Sequence, residues 1–283
     1  MNTTDMRAAG NDVQAMKAAF ERDGYVHIPG ALPPAQVASL TAKVDKVWDE
    51  ERTDRPVSGA KALHLLAFCG REPEFLEMLD PPNTLPLVVD LIGTNIFMFH
   101  CHLDVHPPEP DVVQPWMWHQ DGGVINRDLE GEPRPRMAVK LAYFLTDVSE
   151  PGRGNFMVLP GSHLVNQIDR PPGDDNDIPG AIPVLAKPGD AVMFDRRLWH
   201  ARSPNRSEIT RKAIFFAYTF RWVRTRDDLE VKPELRDSLT PVRRQLLGEA
   251  EHAIDYWMPD LVEPPLAAQF TRVDLTAPPA QMM

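Results

Sequence analysis

The feature that most limits what this chain can fold into is a change of hydrophobic period near residue 96. Before it, apolar side chains recur at three- and four-residue steps. Val37, Leu40, Val44, Val47 and Trp48 form one stripe, and Lys43, Asp45, Lys46 and Asp49 lie off it, the pattern of a helix with one wet face. Pro33-Pro34 opens that helix, because a proline in the first turn gives up only a hydrogen bond the helix could not have made. Residues 11 to 23 predict a shorter helix leading into the strand-like YVHIPG. Two further helices are expected at 72 to 79 and 84 to 92, parted by Asp80-Pro81-Pro82-Asn83. From residue 96 the period becomes two, with strands expected at 96–106, 112–118, 137–146, 155–159, 190–194 and 211–222. Many strands with irregular connections give a barrel or sandwich. The reading is a mainly β chain with flanking helices in one domain, residues 1–283. Helical support at 11–93 precedes the β core at about 96–222, and an extension at 223–283 carries a helix near 241 to 250.

Composition narrows the function classes. A chain of 283 residues with 43% hydrophobic content can bury a sizeable core. A net charge of -11 excludes nucleic acid as a partner, since phosphate backbones are held by a surplus of lysine and arginine. The same acidity weighs against a free polyanion such as a CoA thioester. Cys69 and Cys101 are the only cysteines, which suits a reducing compartment. The N-terminus lacks a basic start with an apolar core, and no stretch reaches membrane-span length, so a soluble cytoplasmic protein is expected. Prolines collect in connections, and the acidic loop 166–183 is a candidate lid.

Chemistry concentrates in His119-Gln120-Asp121, followed by His200 in LWHARSPN and by Arg211. Two imidazoles and one carboxylate can hold a metal on one face and leave its other positions open, the donor set of non-haem Fe(II) sites. On a strand, His119 and Asp121 point the same way, and Gly122-Gly123 lets a neighbouring group approach closely. Spacing alone does not choose this pair, because His102-Leu103-Asp104 has the same form.

The segments WMWHQDGG, FLTDVSEPGRGNFMVLPGSH and KPGDAVMFDRRLWHARSPN, followed by RKAIFFAYTFRW, resemble the phytanoyl-CoA dioxygenase-like family of Fe(II)/2-oxoglutarate oxygenases over roughly residues 14 to 222. The resemblance implies a double-stranded β-helix, a jelly-roll, cupin-like barrel. It also implies iron held by His119, Asp121 and His200, with Arg211 receiving the far carboxylate of 2-oxoglutarate. Where PGRGNF stands, the family usually has a polar residue and then Asn-Gly, a departure confined to one loop. The expected activity is hydroxylation of a small molecule with O2, releasing succinate and CO2. Epimerisation, desaturation or ring closure by the same centre stays open, as do a zinc enzyme and a ligand-binding barrel.

Several neighbours could join the site. In IFMFHCHLDVH the alternation puts His100, His102, Asp104 and His106 on one face and Phe97, Phe99, Cys101, Leu103 and Val105 on the other. His102 is thus a candidate pocket residue in contact with co-substrate or substrate, with a separate metal site as the sharper alternative. Lys140, between Ala138 and Ala142, either enters the pocket or points to water, the commoner fate of a lysine. Trp116, Trp118 and Trp199 read as core or pocket wall, and Gln120 and Asn205 as supports for the metal ligands.

Overall fold

A computed structural model describes residues 13–54, 62–109, 116–129, 131–169, 178–259 and 263–270. The helices at the start are α1 (Val13–Asp23), α2 (Pro34–Asp54), α3 (Pro73–Leu76), which continues as a 3-10 turn over Glu77–Leu79, and α4 (Leu85–Ile92). The strands are β1 (Tyr25–Ile28), β2 (Leu63–Leu66), β3 (Ile96–His106), β4 (Ala138–Phe144), β5 (Phe156–Val158), β6 (Ile182–Val184), β7 (Ala191–Asp195), β8 (His200–Arg202) and β9 (Arg211–Phe220). Six form one sheet in the order β1-β7-β4-β9-β3-β2, and three form a second in the order β6-β5-β8. All the pairings are antiparallel. This is the sandwich that the alternating segments predict, in the jelly-roll form that the family resemblance implies, with helices outside the larger sheet.

The amphipathic stripe of α2 is buried as its spacing requires. Leu40, Val44 and Val47 join α4 and the outer face of the larger sheet in one apolar cluster that runs from Met16 to Leu266. Two tyrosines lock the layers together. The Tyr143 hydroxyl meets Thr84 Oγ1 at 2.7 Å, and Tyr218 donates to the Leu79 carbonyl at 2.8 Å, so each buried phenol keeps a partner.

The expectations differ from the structure at three places. In β3 the register slips between Met98 and His100, so one extra residue bulges out. Ile96 and Met98, rather than Phe97 and Phe99, therefore share the core face with Cys101, Leu103 and Val105. Of the strand expected at 112–118, residues 112–115 lie outside the described residues, and 116–118 form no regular strand. Strands β2, β6 and β8 were not foreseen, because three or four residues are too few to show a period. The candidate lid falls partly on 170–177, also outside the described residues.

Candidate metal centre

His119 reaches the smaller sheet through a single antiparallel bridge. Its N–H donates to the His200 carbonyl and its own carbonyl accepts from the His200 N–H, both at 3.0 Å. This exchange joins two segments far apart in sequence and brings the imidazole centroids to 4.3 Å. Asp121 Oδ1 then lies 3.7 Å from His119 Nε2 and 4.0 Å from His200 Nε2. The three donor atoms fall within 4.8 Å of one another.

The rings are oriented for ligation. His119 Nδ1 donates to the Met117 carbonyl at 2.8 Å, and His200 Nδ1 donates to the Leu198 carbonyl at 2.9 Å. A carbonyl only accepts, so each Nδ1 carries a proton and Nε2 is the ring atom left to face a metal. Burial raises the Asp121 carboxyl, but Lys140, His200 and His119 outweigh it and hold the group well below the usual carboxylate range. Burial and the neighbouring His119 push His200 down to about 3. Asp121 thus stands as carboxylate and His200 as neutral imidazole at neutral pH, a state in which both can take a divalent cation without prior proton loss. The turn after Asp121 is held tightly. Gly122 has φ +116, and a Cβ there would meet Arg196 Nη1 at 2.6 Å and Asn126 Oδ1 at 2.9 Å. The Asn126 amide in turn donates to the Asp121 carbonyl at 3.0 Å.

Lys140 does not point to water. Its ammonium contacts Asp121 Oδ2 at 3.0 Å and the residue is only 7% exposed. The preference for a solvated lysine is corrected here: the small Ala138 and Ala142 leave room for the chain to enter the cavity.

Arg211, the first residue of β9, is 1% exposed. Its Nε and Nη1 are buried with no hydrogen-bond partner among the described residues, and Asp104 Oδ2, at 3.8 Å from Nη1, is too far to serve as one. Burial pulls this guanidinium down to about 10. Orphaned donors on a buried cation are the signature of a site for an anion. Gly154, at φ +68, backs the side chain so closely that a Cβ there would sit 2.8 Å from Arg211 Cδ. The glycine of the divergent PGRGNF loop therefore has a role in shaping the arginine pocket.

A cavity of about 250 Å³ is lined by the triad together with Lys140, His102 and Arg211. His102 stacks on Phe215, with centroids 4.2 Å apart, and its Nδ1 lies 3.1 Å from His100 Nε2. His100 Nδ1 is 2.8 Å from Asp227 Oδ2. Sequence reasoning missed Asp227, since no local pattern ties it to a strand more than a hundred residues earlier. A larger cleft of about 500 Å³, lined by Phe97, Arg221, Asp227 and Tyr256, has no such metal donor set among the described residues.

The rival pair His102 and Asp104 does gain a third donor, His64. Its carboxylate is already engaged, by His64 Nδ1 at 2.7 Å on Oδ1 and by the Arg211 charge near Oδ2. Gln120 and Asn205 brace backbone: the Gln120 amide donates to the Val165 and Arg197 carbonyls, and the Asn205 amide to those of His106 and Ile209. Trp118 joins Met157 and Ala201 in a small apolar cluster with Trp116 and Trp199 packed on it.

The profile of the Phytanoyl-CoA dioxygenase (PhyH) family matches residues 20–213. The chain belongs to this family. It is accordingly an iron- and 2-oxoglutarate-dependent dioxygenase. Among curated relatives, the ectoine dioxygenase of Nocardia farcinica is 24% identical over 230 residues, 71% of this chain and 76% of its own. The L-proline trans-4-hydroxylase of Streptomyces griseoviridis is 26% identical over 160 residues, 55% of this chain and 58% of its own. Among solved structures, the α-ketoglutarate-dependent carbocyclase SnoK from nogalamycin biosynthesis aligns with TM-score 0.58 and 24% identity, over 75% of this chain and 85% of its own. The epimerase SnoN, solved with Fe3+, α-ketoglutarate and nogalamycin RO, aligns with TM-score 0.57 and 20% identity, over 76% and 84%. These likenesses show the double-stranded β-helix fold. Among the described residues no helix is long and apolar enough to cross a membrane.

Proposed function

We propose that this chain hydroxylates a small-molecule substrate with O2 and 2-oxoglutarate, releasing succinate and CO2. In this reading His119, Asp121 and His200 hold Fe(II), and Arg211 receives the far carboxylate of 2-oxoglutarate. The observation that carries the reading is the pairing, in one cavity, of an open-faced metal donor set with a buried guanidinium whose Nε and Nη1 lack partners among the described residues. A zinc hydrolase would leave that guanidinium without an evident dicarboxylate.

Bound iron supplies the oxidising chemistry that couples decarboxylation of 2-oxoglutarate to attack on a substrate C–H bond. The protein's residues do the rest. His119 and His200 present Nε2 lone pairs fixed by their Nδ1 bonds, and Asp121 presents Oδ1. Arg211 offers a planar fork that matches a carboxylate and sets the direction in which the keto acid enters. Phe156, Phe194 and Phe215 line the cavity and limit water around the reacting atoms. His102 forms part of the wall that co-substrate and substrate meet. Asp121 fills the position a halide would need, which argues against halogenation. The chain is proposed to act as one unit, because its main core joins residues from α1 to the C-terminal extension.

The test is succinate formation from 2-oxoglutarate with Fe(II) and O2, stimulated by members of a small-molecule panel. Hydroxylation adds one oxygen atom to the product, ring closure or desaturation removes two hydrogens, and epimerisation leaves the mass unchanged. Asp121→Ala should abolish turnover. Activity that persists in that variant, or that needs zinc rather than iron, would refute the proposal.

A further inference from the structure

We propose that Lys140 is a positioning residue that occupies the second oxygen of Asp121, confines that carboxylate to one-oxygen ligation, and so keeps a coordination position open for 2-oxoglutarate. The inference rests on the assignment of His119, Asp121 and His200 as iron ligands.

The two oxygens of Asp121 have different neighbours. Oδ1 faces His119 Nε2 and His200 Nε2, whereas Oδ2 accepts from Lys140 Nζ at 3.0 Å. Lys140 comes from the middle of β4, where Phe194 of β7 pairs with it on one side and Ala217 of β9 on the other. Its backbone is thus fixed on both sides. The ammonium lies 5.7 Å from the Phe194 ring centroid and 5.6 Å from that of Phe215, which restricts its lateral movement. Among the described residues, Asp121 is the carboxylate within ion-pair distance of it.

A buried lysine is costly unless paired, and it adds positive charge where a divalent cation must bind. Coulomb repulsion between ammonium and metal opposes metal affinity, so tighter metal binding does not explain the residue. What the contact does provide is a choice of ligating atom. Three protein ligands on one face of a six-coordinate ion would leave three positions, enough for a two-oxygen keto acid and O2. A carboxylate chelating through both oxygens would take one of them. Lys140 withdraws Oδ2 and places a cation beside the cavity that receives the dianion.

The test compares wild type with Lys140→Met, which keeps chain length and loses the charge, and with Lys140→Arg, which keeps the charge. Fe(II) affinity is read anaerobically by competition with a chromophoric chelator, and 2-oxoglutarate affinity by its charge-transfer band at saturating Fe(II). Lys140→Met should bind Fe(II) as tightly as wild type or tighter, yet bind 2-oxoglutarate about tenfold more weakly or worse. Lys140→Arg should recover part of the 2-oxoglutarate affinity. Loss of both affinities in parallel, the mark of general structural support, would overturn the proposal, as would an unchanged 2-oxoglutarate affinity.

A second measurement needs no Lys140 variant. In protein with 13C-labelled aspartate, the infrared difference spectrum on adding Fe(II) should show the wide symmetric-antisymmetric splitting of one-oxygen ligation, absent in Asp121→Ala. A narrow, chelate-type splitting would overturn the role of Lys140 alone. Unaltered Fe(II) binding in Asp121→Ala would overturn the ligand assignment itself, and the proposal with it.

Discussion

Replacing Arg211 by methionine should make the ligand-free protein more stable and remove most of the stabilisation that 2-oxoglutarate confers. The guanidinium is buried, and its depression from 12.5 to about 10 corresponds to about 3 kcal/mol of unfavourable burial. The sign follows from linkage. The folded-state value lies below the unfolded one, and below about pH 10 the group is charged in both states, so the full cost is present at neutral pH. Methionine removes that cost and fills much of the same space. Part of the gain is lost because Asp104 forfeits the guanidinium 3.8 Å away, although it keeps His64 at 2.7 Å. A net gain of about 1 to 3 kcal/mol is expected, raising Tm by about 2 to 6 °C.

With Fe(II) and 2-oxoglutarate that advantage should shrink by about 2 kcal/mol. Wild type at a ligand concentration of about one hundred times Kd gains about 2.7 kcal/mol. Loss of the charge-assisted bonds to the far carboxylate should weaken binding in the variant by about 3 kcal/mol, roughly a hundredfold, so it gains almost nothing at the same concentration. The assay is thermal unfolding of both proteins, with and without Fe(II) and 2-oxoglutarate under anaerobic conditions. A variant destabilised in the absence of ligand but equally protected by 2-oxoglutarate would refute the assignment of the orphaned donors to a dicarboxylate.

Gly154→Ala should retain Fe(II) but bind 2-oxoglutarate more weakly, since the new Cβ would sit 2.8 Å from Arg211 Cδ at a backbone φ of +68; parallel titrations of metal and co-substrate check this. His102→Ala should weaken 2-oxoglutarate or substrate binding with iron retained in metal analysis, and loss of iron would instead place a ligand in the set with His64 and Asp104. Asp195 gives a pH dependence. Burial opposes its ionisation, but Arg197 and Arg136, with contacts at 2.7 Å, outweigh burial and hold it below the ordinary range. Its contribution is therefore full above the unfolded value near 4 and is lost as pH falls through the lower folded value. Asp195→Asn should cost about 3 kcal/mol in urea unfolding at pH 7, with the difference from wild type shrinking below about pH 4.

Regular repetition made much of the fold legible in the sequence. The stripe of α2 and the long strands β3, β4 and β9 each repeat their pattern often enough to stand out, and the motif segments pointed to the jelly roll. The bulge at Phe99 was hidden because strict alternation reads correctly on either side of an extra residue. Strands β2, β6 and β8 carry too few residues to show a period. Within the candidate site, His119 and Asp121 could be paired from their spacing, but their meeting with His200 depends on one backbone bridge between distant segments. The roles of Lys140 and Asp227 depend on cross-sheet geometry, which local pattern does not encode. An alanine-flanked lysine reads the same whether it faces water or a carboxylate.

The measurement that bears most directly on the metal centre is an anaerobic visible-absorption titration of metal-free protein with Fe(II) and then 2-oxoglutarate, repeated with Asp121→Ala and Arg211→Met. The expected result is a charge-transfer band that needs both additions, is absent in Asp121→Ala, and in Arg211→Met requires far more 2-oxoglutarate. A folded wild type that gives no band, or a band of full strength in Asp121→Ala, would contradict the assignment of His119, Asp121 and His200 as the iron site.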